Sequence, residues 1–214
     1  MMAADTAQIV AAALYAALAG AVVYARRSWS RVPASPSLPV IVGENSWWSE
    51  ALWLGALASV FAYPLGILLF PRALLTSPLT IRFPGDEIVQ VGGILLVLVG
   101  AVLSGWALRS LGRFTTVRIQ LTADQSLITG GPYRWIRHPM YTANLLLALG
   151  VTLTFLSLTL WISVGVVSAI AFLRANREER MFLASPRLGP EYAAYRRATG
   201  RFLPRFRRTP SIRR

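Results

Sequence analysis

Eleven consecutive residues, Gly131-Pro132-Tyr133-Arg134-Trp135-Ile136-Arg137-His138-Pro139-Met140-Tyr141, gather two prolines, two arginines, three aromatic side chains and the only histidine of the chain. They stand directly before a long apolar run. Polar groups at such a boundary are costly to place unless they pair or bind something, so the stretch reads as the start of a ligand site. A second group of candidates follows the apolar run: Arg174, then the paired carboxylates Glu178 and Glu179, then Tyr192 and Tyr195 at a spacing that puts both on one helix face. Taken singly, each has a plainer explanation. His138 would pin a helix start beside Pro139, a residue suited to a first turn. Glu178 and Glu179, with Arg174 and Arg177 nearby, would form a solvated helix face that pairs with itself. The two tyrosines would be interfacial anchors, and the arginines of the tail an orientation signal or a lipid-headgroup contact. Their co-occurrence in a fixed order outweighs these explanations.

The elements that must carry these residues are membrane spans. The chain has 214 residues, 55% of them hydrophobic and 14% charged, and its mean hydropathy is +0.51. A soluble domain of that length is less apolar and more charged. The net charge is +13, all 22 basic residues are arginine, and cysteine is absent. Without lysine there is no Schiff base; without cysteine there is no disulfide, thiolate nucleophile or cysteine metal site. One histidine excludes a histidine-rich metal site as well. The positive charge does not point to nucleic acid, because the arginines fall between apolar runs and in the tail, where the positive-inside rule places them.

Four apolar blocks stand out, at residues 6–25, 51–70, 88–108 and 139–173. The first three match the ~20 residues that cross a bilayer, and Asp86 and Glu87 suit the N-terminus of the third. The first block lacks a basic leader and is followed by Arg26 and Arg27, so it reads as a retained span rather than a signal peptide. The fourth would reach roughly 50 Å as one helix, against ~30 Å of hydrocarbon. It is therefore expected to be a hairpin of two helices, turning at Phe155-Leu156-Ser157 with Ser157 accessible from outside. Arg109, Arg113, Arg118, Arg134 and Arg137 precede it; Arg174, Arg177, Arg180 and the arginines from Arg187 onward follow it. Both flanks favour the cytoplasm. The expected fold is an all-α integral membrane protein with five transmembrane helices, N-terminus outside and C-terminus cytoplasmic. Residues 1–108 would hold three spans and loops, 109–206 the catalytic region, and 207–214 a basic tail. Residues 28–50 read as a loop. Arg174 to Leu183 should continue the last span, Pro186 and Pro190 should break it, and Glu191 to Arg196 should form a short further helix.

In chain order the candidates read Leu127-Ile128-Thr129-x-Gly131-Pro132-Tyr133-x-x-x-Arg137-His138-Pro139-x-Tyr141, then Arg174-x-x-x-Glu178-Glu179, then Gly189-x-Glu191-Tyr192-x-x-Tyr195, then Arg201-Phe202-x-Pro204. This order resembles the isoprenylcysteine carboxyl methyltransferase family, with its relatives among bacterial phospholipid methyltransferases. Two departures stand in it: Ala143 where many members have glycine, and Gln125 where several have histidine. The resemblance implies an S-adenosyl-L-methionine cofactor, with S-adenosyl-L-homocysteine as product, in a cytoplasmic pocket that caps the hairpin. It implies a cofactor shell of Gln125, Ser126, Leu127 and Ile128 from a strand-like segment, with Gln120 before them, then Tyr133, His138, Pro139, Met140, Tyr141 and Glu178. It implies Arg174 against a lipophilic substrate, and a location in the plasma membrane of a bacterium. The chain has no strand–GxGxxG–helix unit.

Elementary chemistry agrees. Glu178 can accept hydrogen bonds from the ammonium or ribose hydroxyls of such a cofactor, and Tyr and Met surfaces can hold its base and its sulfonium methyl. Methyl transfer is an in-line displacement. A carboxylate acceptor is already anionic and needs desolvation and alignment rather than a base. The guanidinium of Arg174 is suited to hold it bidentately. An amine acceptor would instead need a base such as Glu179. The expected function is methyl transfer to a lipid-like acceptor entering from the bilayer, with a prenylcysteine-like carboxylate favoured over a phospholipid amine. No metal and no nucleic acid are expected. Two rivals stand beside this: a nicotinamide-dependent membrane reductase, whose relatives usually carry more spans, and a non-catalytic membrane subunit.

Overall fold

The computed structural model describes residues 3–29, 40–43, 47–112, 120–122 and 126–205. The long helices are α1 (Ala4–Trp29), α2 (Trp47–Leu69), α4 (Asp86–Leu111), α5 (Pro139–Phe155) and α6 (Leu158–Ala184), with the short α3 (Pro71–Leu75) and α7 (Gly189–Ala198) between and after them. They fall on the four apolar blocks, and the fourth block is split at the expected turn. Among the described residues three helices, in α1, α4 and α6, are long and apolar enough to cross a membrane; α5 and the apolar part of α2 are shorter. The all-α expectation needs one correction. Two short strands, β1 (Val40–Gly43) and β2 (Gln120–Thr122), pair antiparallel with Val40 opposite Thr122 and Gly43 opposite Gln120. The strand-like segment therefore lies at Gln120–Thr122; Ser126–Thr129 have no regular structure.

Contacts sort the helix ends into two sets. At one end Gln8, near the start of α1, donates to the Leu68 carbonyl near the end of α2 (2.9 Å). The hairpin turn lies at this end too. Leu156 takes the left-handed conformation (φ 49°) that ends α5. The Ile81 N–H donates to the Leu156 carbonyl and the Leu158 N–H to the Leu79 carbonyl, both at 2.8 Å. This covers the turn and satisfies its backbone groups. Ser157 is consequently only 1% exposed, which corrects the expectation of an accessible Ser157. Leu158 and Thr159, the first two residues of α6, are exposed.

At the other end Tyr24 of α1 meets Arg109 of α4 (2.6 Å), and the start of α5 meets the last turns of α6. With 27 residues, α6 extends ~40 Å, beyond the ~30 Å of hydrocarbon. Its charged last turns, from Arg174 onward, stand past the apolar stretch.

The seam between α4 and α5 sets the position of the site. A Cβ on Gly93 would lie 2.5 Å from the Thr154 amide nitrogen, and one on Gly150 would lie 2.7 Å from Val97. Only glycine permits so close an approach, which is how helices gain van der Waals contact in a lipid setting. Ala143 is fully buried in the same seam, opposite Gly100, whose missing Cβ would be 3.1 Å from the Ala143 carbonyl. The departure at Ala143 thus fits the packing: the small partner is on α4.

Candidate functional site

Pro139 occupies the first turn of α5, and His138 takes the preceding cap position without a side-chain capping bond. Its ring reaches across to α6 instead. Nδ1 lies 3.3 Å from a Glu178 oxygen and Nε2 lies 3.2 Å from a Glu179 oxygen. Both nitrogens can donate only when the ring is protonated. Burial works against the charge, but hydrogen bonds and attraction from the two carboxylates outweigh it and raise the His138 pKa above its ordinary value.

Adjacent carboxylates on α6 enter two different environments. Glu178 accepts a hydrogen bond from the Tyr141 hydroxyl, and that hydroxyl accepts from Arg174 Nε at 3.3 Å. The Trp53 ring of α2 stands edge-on to Tyr141 at 5.3 Å, and the Arg174 guanidinium lies 5.8 Å from the same indole. The His138 ring stacks on Tyr141 at 5.6 Å. Tyr133 is buried nearby; desolvation, reinforced by the Glu178 charge, pushes its phenol well above the ordinary value. Arg174 is buried, whereas the Glu178 side chain keeps 25% of its surface open.

Glu179 retains 7%. Arg137 Nε approaches it at 3.1 Å, Arg201 Nε at 3.2 Å and the more exposed Arg196 at 3.5 Å. Arg201 also donates to Asn176 Oδ1 at 2.6 Å, and its guanidinium lies over the Phe172 ring at 4.8 Å. Three guanidinium groups and an imidazole keep this residue a carboxylate. The pair is therefore not a solvated face that satisfies itself.

The flanking tyrosines dock α7 rather than anchoring it in an interface. Tyr192 is buried and stacks on Phe182 at 4.9 Å. Tyr195 donates to the Tyr133 carbonyl at 2.7 Å. That carbonyl belongs to the helical turn Gly131–Arg134. Gly131 has φ +58°, and a Cβ there would collide with Ser110 Oγ of α4. The turn is thus pressed between α4 and α7, which aims Tyr133 and then His138 inward.

Of the residues expected from sequence, the structure brings His138, Tyr141, Arg174, Glu178 and Glu179 together, with Tyr133 in reach of the Glu178 charge. Pro139 is buried beneath them and Met140 is half-buried. Ser126 is exposed and Leu127 and Ile128 half-buried, in the segment that leads to Gly131. Gln120 lies in β2, and Gln125 lies outside the described residues. Sequence reasoning missed Trp53, because nothing in its spacing marks it, and Asn176. Arg137 and Arg201 stood in the motifs without an assigned role.

Over residues 88–185, a little under half of its length, the chain matches the phospholipid methyltransferase family. The resemblance read from the ordered motifs is borne out by that match. Among curated relatives, the cobalt-zinc-cadmium resistance protein CzcN of Cupriavidus metallidurans is 36% identical over 112 residues, covering 52% of this chain and 50% of the relative. The chain thus spans about half the length of that relative.

Proposed function

We propose that the protein is an integral membrane methyltransferase that uses S-adenosyl-L-methionine and acts on a lipid-like acceptor from the bilayer. The observation that carries this reading is the His138–Glu178–Tyr141–Arg174 cluster, which lies within the stretch that matches the phospholipid methyltransferase family. The proposed topology is five spans, with the arginine-rich end in the cytoplasm and the N-terminus outside, in a bacterial plasma membrane.

The donor set fits the cofactor. Glu178 is partly open, anionic and flanked by aromatic rings, as a ligand with an ammonium, hydroxyls and a sulfonium requires. Gln120, Gln125, Ser126, Leu127, Ile128, Tyr133, His138, Pro139, Met140 and Tyr141 would complete its shell. When bound, the cofactor supplies an electrophilic methyl group. The chain's own residues do the rest. Tyr141 and Trp53 fix the Arg174 guanidinium, which orients an acceptor carboxylate. Burial around Arg174 keeps water from that carboxylate and strengthens the contact. Glu179, offered by the sequence as a base for an amine acceptor, is held among cations and is a weak proton acceptor. This favours a prenylcysteine-like carboxylate, which needs no base. A phospholipid amine is the second reading, supported by the family's description.

The test is binding and transfer by the purified protein in lipid nanodiscs. S-adenosyl-L-homocysteine should bind and NADPH should not, and methyl transfer should proceed to a prenylcysteine analogue rather than to phosphatidylethanolamine. Arg174→Lys should abolish most transfer while cofactor affinity holds, because a point charge cannot reproduce a planar two-donor grip. NADPH binding without homocysteine-cofactor binding would overturn the reading. For topology, Thr159→Cys should be labelled from outside intact cells, and Ser185→Cys only after permeabilisation; the reverse pattern would invert the orientation.

A further inference from the structure

The chain from Thr199 to Arg205 lies beyond residues 88–185, although Arg201-Phe202-x-Pro204 closes the motif order read from the sequence, and it runs beside the motif histidine. The Gly200 N–H donates to the Trp135 carbonyl (3.0 Å), the Arg137 N–H to the Gly200 carbonyl (2.8 Å), and the His138 N–H to the Arg201 carbonyl (3.1 Å). Residues Ile136 and Gly200 form a parallel bridge. Thr142 in the first turns of α5 donates to the Phe202 carbonyl at 2.8 Å, and the Phe202 ring lies 6.0 Å from the His138 ring. The backbone turns back so tightly that a Cβ on Gly200 would overlap the Leu203 carbonyl. Side chains fasten the same strap to α6, through Arg201 to Glu179 and to Asn176.

We propose that this strap closes the site from outside the matched stretch, and that Glu179 and Arg201 are positioning residues that hold the His138 ring against Glu178. This rests on the reading that His138 and Glu178 belong to the cofactor shell. His138 is held on three sides: its backbone by the strap, Nε2 by Glu179, Nδ1 by Glu178. Glu179 in turn cannot swing toward the strap or away from it without leaving Arg201 or Arg137 unmatched. Two adjacent carboxylates would otherwise compete for one imidazole; Arg201 and Arg137 commit Glu179 to its side, and Glu178 keeps the open one. Among the described residues, the charged and titratable groups around the ring include Glu178 and Glu179 from α6, Tyr141 from α5, Tyr133 from the preceding turn within reach of the Glu178 charge, Arg137 beside it, and Arg196 and Arg201 behind Glu179, with Arg174 across Tyr141.

His138 is the only histidine, so one imidazole resonance reports on it once the protein carries no histidine tag. The experiment follows that resonance across pH in histidine-labelled protein in phosphatidylcholine nanodiscs without ligand, and then measures S-adenosyl-L-homocysteine affinity. Glu179→Gln removes one of two anions and should lower the titration midpoint by about one pH unit. Arg201→Gln removes a nearby cation and should raise it. Both should weaken cofactor affinity several-fold, and Arg201→Lys should restore part of the loss. Opposite shifts in titration with the same shift in affinity would not arise from a general loss of packing. If Glu179→Gln does not fold, Arg201→Gln, which leaves Glu179 two strong partners, decides alone. An unchanged midpoint and unchanged affinity in folded Arg201→Gln would overturn the proposal. If the midpoints shift as expected but wild-type protein binds no homocysteine cofactor, the strap's role stands and the cofactor reading falls.

Discussion

The two sides of the last turns of α6 hold the same chemical group in opposite states of commitment. On the side of Arg174 and Glu178, the carboxylate meets a phenol and an imidazole and remains a quarter open. On the side of Asn176 and Glu179, the carboxylate is enclosed and matched by arginines from three separate segments. An acceptor with spare capacity and open surface is equipped to receive a ligand. One surrounded by cations is equipped to hold chain segments together. The proposed cofactor role of Glu178 would divide a repeated residue into one group for the ligand and one for the frame, a single step of the helix apart.

The largest expected effect tests the frame. Glu179→Ala would leave Arg137, Arg201 and His138 without their common anion, and losing one partner of a buried charge cluster costs ~3–5 kcal/mol. Chemical unfolding in mild detergent should show it. A loss below ~1 kcal/mol would erase the distinction between the two sides. Glu178→Ala should instead weaken S-adenosyl-L-homocysteine binding by ~1–3 kcal/mol, the usual cost of a charged or buried hydrogen bond, with a stability change well short of that at Glu179. If its stability loss matched that of Glu179→Ala, Glu178 would belong to the frame too. His138→Ala, which removes the bridge, should show both effects together.

The smallest effect is in pH. The folded-state pKa of His138 is raised, against an unfolded value of ~6.5. Its contribution to stability is therefore fully present below pH ~6.5 and is lost as pH rises through the raised folded value. Thermal stability should decline across that window and become flatter there in His138→Gln. A decline of the same size in His138→Gln would assign the pH dependence to other groups.

Much of the architecture was legible. The length of the block 139–173 against the thickness of a bilayer forced the hairpin, and Pro186 and Pro190 announced the break before α7. The candidate cluster was legible as types in order: His138, Tyr141, Arg174 and the two glutamates do meet. What was hidden depended on partners far away in the chain. Nothing near Glu179 says that Arg137 and Arg201 will take it while Glu178 stays open, since successive helix residues differ in direction by only ~100°. Trp53 belongs to a helix with no motif. Ser157 is at a turn, which by itself implies exposure; residues 79–81 cover it, and only tertiary structure reveals that. The ribbon is too short, and its strands too distant in sequence, for alternation to have announced it.

The strap has a consequence for the order in which the molecule is made. The bond from Thr142 to the Phe202 carbonyl joins residues 60 apart in sequence. At ~5–20 residues per second of synthesis, that separation is roughly 3–12 s. During that interval the growing chain carries His138 and then Glu178 and Glu179, but not the segment that fastens them. Arginines 137 and 201 meet their shared anion in sequence as well: the first arrives before it, the second after. The candidate site therefore takes its final geometry only after Phe202 has been made, and a nascent chain stalled before the strap would hold every residue of the central cluster without the segment that fastens it.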